Sequence, residues 1–166
     1  WFIFTLSMGI LAASLVTMRE GHRFQSRPFQ PAELRLVRAA LDLWDEPEKP
    51  RMKAMLLGGR LRAVDPSSFA RAQERSTFGY CDEWGRVLVN PELCFSNQAV
   101  LGGANQPADL VTTASTLYHE SRHLLLDAGE PCAYEEEWRF LRRLRGRHPE
   151  LARELDDWES QMPERI

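Results

Sequence analysis

Cysteine is scarce in this chain. Three cysteines in 166 residues are too few for a disulfide scaffold or a four-thiolate zinc site. Lysine is scarcer still: Lys49 and Lys53 are the only two, and arginine carries the rest of the positive charge. That bias points to a GC-rich bacterial genome and to no particular function. A net positive charge is missing as well. The formal charge of -3 leaves no electrostatic footprint of the kind a nucleic-acid binder shows, so a nucleic-acid partner is not expected. Internal repeats and low-complexity tracts are absent, and 43% hydrophobic with 27% charged residues is the balance of a globular domain.

Charge is also absent from the first eighteen residues, WFIFTLSMGILAASLVTM. An uncharged apolar run of this length is expected to be a transmembrane or signal segment, assigned to residues 1–19. The chain begins with Trp1 rather than Met, so further residues are expected to precede it, including the flank that would separate an anchor from a cleaved signal. Residues 20–31, polar with two prolines, read as a linker. Residues 32–166 then form the folded domain, expected to be membrane-anchored or secreted and extracytoplasmic. Oligomeric state is not legible.

Within that domain the expected fold class is α+β. Leu34, Val37, Leu41 and Trp44 recur at helical spacing behind Pro31, which suits a first helical position and predicts a helix to about Asp45. A short helix follows, broken at Gly58-Gly59, and then a strand at Leu61–Val64. Thr77–Cys81 and Arg86–Val89 read as the two strands of a hairpin, with Asp82-Glu83-Trp84-Gly85 as its turn. A long helix is expected from about Ala108 to Leu126, stopped by Asp127-Ala128-Gly129. Two more follow: Pro131 to about Arg145, and Pro149–Met162.

The long helix carries His119-Glu120-Ser121-Arg122-His123, the pattern H-E-x-x-H. Residues i and i+4 lie one turn apart on one helical face, so both imidazoles can reach a single metal ion. Glu120 points to the adjacent sector, where a carboxylate can act on a water without being a ligand. With four histidines in the chain, this pattern arises by chance on the order of once in a hundred such sequences.

On this motif, the hairpin upstream and the helix downstream, the chain resembles the zincin metallopeptidases over residues 77–145. The resemblance implies a small zincin-like domain, a Zn2+ cofactor held by His119 and His123, Glu120 as general base, and a peptide or protein substrate. It also implies that Arg86–Val89 is an edge strand that pairs with extended peptide. The metzincin pattern fails, because Leu126 and Gly129 stand where a Gly and a third His are needed. The gluzincin group takes a Glu from the next helix, often in E-x-x-A, and Glu130-Pro131-Cys132-Ala133 is similar to it. If the helix ends near Leu126, the turn brings Glu130 to the metal. If the two helices form a longer hairpin, Glu137 or Glu136 is the third ligand instead. Tyr134 is a candidate donor to the developing oxyanion, Asp127 a candidate acceptor behind His123, and Cys81 with Cys94 a candidate disulfide. Glu92-Leu93-Cys94-Phe95-Ser96 is similar to the cysteine motif of peptide deformylases, but Leu93 replaces its Gly and their glycine-rich first motif is absent. A tethered binding module without turnover is the alternative reading.

Overall fold

The structure is a computed structural model and describes residues 24–69, 76–95 and 106–161. The apolar segment 1–18 lies outside these. Among the described residues no helix is long and apolar enough to cross a membrane. The fold is α+β, a four-stranded sheet against a group of helices.

The segment read as a linker already belongs to the domain. Phe24 is buried, and Ser26–Arg27 form β1, which pairs with Val64 and Ala63. Arg27 then makes a bidentate ion pair with Glu33, 2.7 Å at each contact, in the first turn of α1 (Pro31–Asp42). The same Glu33 accepts from the backbone N–H of Gln30 at 2.7 Å. One carboxylate therefore neutralises a cation and satisfies an orphan amide at a helix start. Helix α1 stops at Asp42, earlier than its periodicity predicts, and Trp44 reaches the core from the following turn, edge-on to Tyr118 and Phe140.

Helix α2 (Lys49–Leu57) leads through Gly59, whose φ of 69° any side chain would strain, into β2 (Leu61–Val64). The hairpin strands are β3 (Gly79–Cys81) and β4 (Val87–Val89). Asp82, buried in the turn between them, accepts from the backbone N–H groups of Trp84 and Arg86 and from the Arg86 side chain at 2.5 Å.

The strand order is β1-β2-β4-β3, with β2 and β4 parallel and the other pairs antiparallel. This corrects one expectation. The strand at Arg86–Val89 is no edge. It lies between β2 and β3, and its Val87, Leu88 and Val89 are all fully buried. The strand alongside the motif helix is β3. Three consecutive buried apolar residues are the mark of an interior strand covered on both faces. Val87 and Val89 join the main core, while Leu88 joins Phe24, Val64 and Phe69 on the other face.

A single-turn helix α3 (Pro91–Cys94), capped by Asn90 accepting from Glu92 N–H, precedes the long α4 (Pro107–Leu126). Helix α5 (Glu130–Arg147) returns beside α4, and α6 (Ala152–Gln161) follows a short 3-10 turn. The final helix was expected from Pro149; its α-helical part starts at Ala152, and Met162 lies outside the described residues.

Helix α4 is the axis of the domain. It packs on α1, α5 and α6 on one side and on β3 and β4 on the other. From Thr113 to Arg122 every residue is buried, polar ones included, and each such polar side chain needs a partner. Where those partners lie defines the site.

Candidate metal centre

Helix α4 ends at Leu126 because Asp127 enters the left-handed region, φ 51° and ψ 36°. Two things follow within three residues. The carbonyl of Ala128 turns back over the helix end and accepts from Nδ1–H of His123 at 2.6 Å. Gly129 then caps a new helix whose first residue is Glu130. The acceptor behind His123 is therefore the backbone of Ala128, not the side chain expected of Asp127. Asp127 contributes its unusual backbone conformation.

This turn carries Glu130 back to the two histidines. One carboxylate oxygen lies 3.2 Å from Nε2 of His119, and the other lies 3.4 Å from Nε2 of His123. The two Nε2 atoms are 3.0 Å apart. Three ligand atoms thus surround one point. A tetrahedral ion with metal–ligand bonds of 2.0–2.1 Å separates its ligand atoms by about 3.3–3.5 Å. The observed spacings of 3.0–3.4 Å lie at or within about 0.3 Å of that edge, so His119, His123 and Glu130 could hold a metal ion.

The nitrogens facing away from this point are also occupied. Nδ1–H of His119 donates to Glu137 at 3.0 Å, as Nδ1–H of His123 does to Ala128. Each imidazole is therefore held with its Nε2 toward the centre, the arrangement that orients metal-binding histidines. Glu137, an expected alternative ligand, stands behind His119 and not at the convergence point. Glu136, the other alternative, is ion-paired with Arg139 at 2.6 Å along the outside of α5.

Glu120 points from α4 toward the sheet. Its side chain is buried against Gly79 of β3, where a Cβ would sit 2.8 Å from Glu120 Cγ and 2.8 Å from Thr116 Cγ2. Only a glycine lets the strand lie this close. Cys81, two residues along the strand, donates its thiol to the Glu120 carbonyl at 3.2 Å. The ring of Tyr134 packs on His119 with centroids 4.5 Å apart.

The cysteines do not pair. Cys81, Cys94 and Cys132 are all free thiols. Cys94 is buried and turned toward Phe78 and Thr116, while Cys81 faces α4.

The electrostatics follow from this packing. Burial disfavours a charged His119, but its hydrogen bonds to Glu130 and Glu137 outweigh that and raise its pKa to about 10. Burial acts on His123 likewise, and Glu130 with Glu120 overcomes it and raises the value. The two imidazoles hold Glu130 far below the usual carboxylate range. Burial pushes Glu120 up, although both histidines oppose the shift. Burial also pushes the Cys81 thiol up, helped by the nearby Glu120 carboxylate. Three carboxylates thus face two imidazoles. Among the described residues no Lys or Arg pairs with Glu120, Glu130 or Glu137. The site carries a surplus of negative charge aimed at a small space.

Three contributors are invisible in the motif. Ser115 donates to Glu137 at 2.5 Å, and Trp158 of α6 donates to the same oxygen at 3.3 Å. Gly79 makes room for Glu120. Ser115 lies four residues before His119 on the same helical face, which is a readable signal. A glycine inside a strand is another, since it marks close approach. Nothing in the local sequence singles out Trp158. No protein-family model, curated protein or solved structure matches this chain.

Proposed function

We propose that this protein is a zinc-dependent metallopeptidase of the zincin type, gluzincin-like in its ligand set. The supporting observation is the convergence of His119 Nε2, His123 Nε2 and Glu130 at spacings of 3.0–3.4 Å. Two imidazoles and one carboxylate are donors suited to zinc and leave a fourth position open. A zinc ion held there supplies Lewis acidity, which makes a water more acidic and polarises a scissile carbonyl.

The remaining roles fall to the chain itself. Glu120 accepts a proton from the attacking water as the new C–O bond forms, and delivers it to the amine nitrogen, so that the C–N bond breaks when the tetrahedral intermediate collapses. Its burial against Gly79 suits this work, because a desolvated carboxylate holds a proton more readily. Tyr134, packed on His119, is assigned the hydrogen bond to the carbonyl oxygen as it gains charge. Glu137 and the Ala128 carbonyl keep the imidazoles aimed. Residues 1–19 are assigned to a membrane anchor or export signal, which would put the domain outside the cytoplasm.

A binding module without turnover would be favoured if no carboxylate stood near the imidazoles, and Glu130 stands 3.2 Å away. The test is zinc content together with hydrolysis of a peptide mixture. Wild type is expected to hold one zinc and cleave. Glu120→Gln is expected to hold one zinc and not cleave. Equal cleavage by wild type and Glu120→Gln would exclude the mechanism.

A further inference from the structure

The buried carboxylate of Glu137 accepts three donors, and their division between its oxygens is unequal. Ser115 Oγ–H and Trp158 Nε1–H both bond to Oε1, at 2.5 and 3.3 Å. Oε2 accepts from Nδ1–H of His119 at 3.0 Å. All three donor groups are buried, as is Glu137 itself. They come from different places: Ser115 and His119 from one face of α4, Trp158 from α6. Trp158 is itself held edge-on by Phe78, 5.0 Å between ring centres, and Phe78 adjoins the Gly79 that packs on Glu120.

We infer that Trp158 and Ser115 are positioning residues: by occupying one oxygen of Glu137 they dedicate the other to His119 and so fix the direction of its metal-binding nitrogen. This rests on the metal-site reading above and extends it to the C-terminal helix. The physical reason is a count of acceptors. With Nε2 of His119 given to a metal its Nδ1 must carry the proton, and the Trp158 indole N–H is a donor in every state, so the side chain at 137 must offer an acceptor to each. A carboxylate has two oxygens and meets this need. A carboxamide has one, so in Glu137→Gln its NH2 must face either the indole N–H or the imidazole N–H. A buried donor then goes unpaired. Ser115, whose hydroxyl can accept as well as donate, adapts to either.

A compensation follows. Trp158→Phe removes the indole N–H and keeps an aromatic ring beside Phe78. In that background the carboxamide of Glu137→Gln can give its oxygen to His119 and its NH2 to Ser115. The experiment is chelator competition for zinc on the purified chain, with melting temperatures recorded beside it. Glu137→Gln is expected to weaken zinc binding about 10-fold or more, in the range for partners that orient metal ligands. Trp158→Phe and Ser115→Ala should each weaken it by a smaller factor. The double variant Trp158→Phe/Glu137→Gln should bind zinc more tightly than Glu137→Gln alone.

A merely structural Trp158 gives the opposite ranking, with the double variant weaker than either single one. That ranking overturns the inference, as does a Trp158→Phe variant with wild-type zinc affinity. If Trp158→Phe does not fold, Ser115→Ala carries the test: wild-type zinc affinity in that variant is equally fatal. A metal-independent readout accompanies these. In 15N-labelled protein stripped of metal, the Nδ1–H resonance of His119 should shift in Trp158→Phe, and an unmoved resonance counts against the assignment. Absence of zinc binding by wild type is a different outcome, which overturns the metal-site reading and this assignment with it.

Discussion

Helix α4 carries two polar clusters on different faces of the same six residues, 118–123, and they are built on opposite principles. On one flank Arg122 is buried with its guanidinium 4.3 Å over the Tyr118 ring and 3.1 Å from Glu48. Arg143 pairs with Glu46 at 3.1 Å and bonds the Tyr118 hydroxyl, and Arg147 reaches Asp45 at 3.2 Å. Each acid there has its own cation. On the other flank Glu120, Glu130 and Glu137 surround two imidazoles, whose Nε2 atoms converge with Glu130 on a point. The first cluster ties α4 to the turn after α1. In the second, three acids face two imidazoles and, among the described residues, no Lys or Arg, a surplus that the proposed metal would balance. Ionic groups packed on a helix are common, and what separates a metal centre from a salt-bridge network is whether the protein supplies the positive charge itself.

Substitutions can break this contrast from either side. The largest effect is expected in the open cluster. Glu120→Gln should lower peptide cleavage by about 10²–10⁴-fold while zinc stoichiometry stays at wild type, whereas His119→Ala should lose both. Metal analysis beside a peptidase assay separates the two variants. In the closed cluster the prediction reverses. Arg122→Met removes a buried guanidinium together with its contacts to Tyr118 and the half-buried Glu48, and should cost about 1.5–3 kcal/mol in denaturant unfolding, yet leave zinc content unchanged. Loss of zinc in Arg122→Met would show that the two flanks are not independent.

Next in size is Gly79→Ala. Its Cβ would meet Glu120 Cγ and Thr116 Cγ2 at 2.8 Å. The expected cost is about 1–3 kcal/mol, with cleavage falling more than zinc affinity, because the base moves and the ligands do not. A comparison of kcat with the zinc dissociation constant checks this.

The open cluster should also respond to pH in a sense that metal inverts. In protein stripped of metal, His119 is raised to about 10. Its contribution to stability is full below the unfolded value of about 6.5 and is lost as pH rises through about 10. Glu130, held low by the same imidazoles, contributes above the ordinary carboxylate range and loses that only as pH falls. The stripped protein should therefore melt at progressively lower temperature from pH 6 to pH 10. Zinc requires the same imidazoles deprotonated, so zinc-loaded protein should gain stability over the stripped form as pH rises. Melting curves with and without EDTA across this range test the sign.

The smallest effect belongs to the turn. Asp127→Gly suits the φ of 51° and should change stability by less than about 1 kcal/mol with zinc affinity intact. Asp127→Val, β-branched in the left-handed region, should displace Ala128 and Glu130 together and weaken zinc binding.

The residues that lie close along one helix were readable from the chain. His119, Glu120 and His123 share a helix whose limits were placed within a residue of Pro107–Leu126, because helical spacing alone sets their relation. The third carboxylate was open among three glutamates. It depended on where α4 stops, and a non-glycine residue in the left-handed conformation at Asp127 is not something composition announces. The strand order failed for a similar reason. Arg86–Val89 and Thr77–Cys81 are both β-prone, but which is interior depends on β2 arriving from 26 residues upstream to pair in parallel with β4. The linker reading of residues 20–31 missed that Arg27 has a carboxylate waiting at Glu33. Trp158 carries no local signal, and its indole N–H reaches Glu137 only because α6 folds back beside α4 and α5.

The central claim is that two imidazoles and Glu130 form a metal centre. X-ray absorption at the zinc edge of the zinc-loaded protein tests it most directly. The account predicts a first shell of nitrogen and oxygen donors at about 2.0–2.1 Å with no sulfur, two imidazoles in wild type and one in His123→Ala. A sulfur-containing shell, or an imidazole count that does not change in His123→Ala, would contradict it.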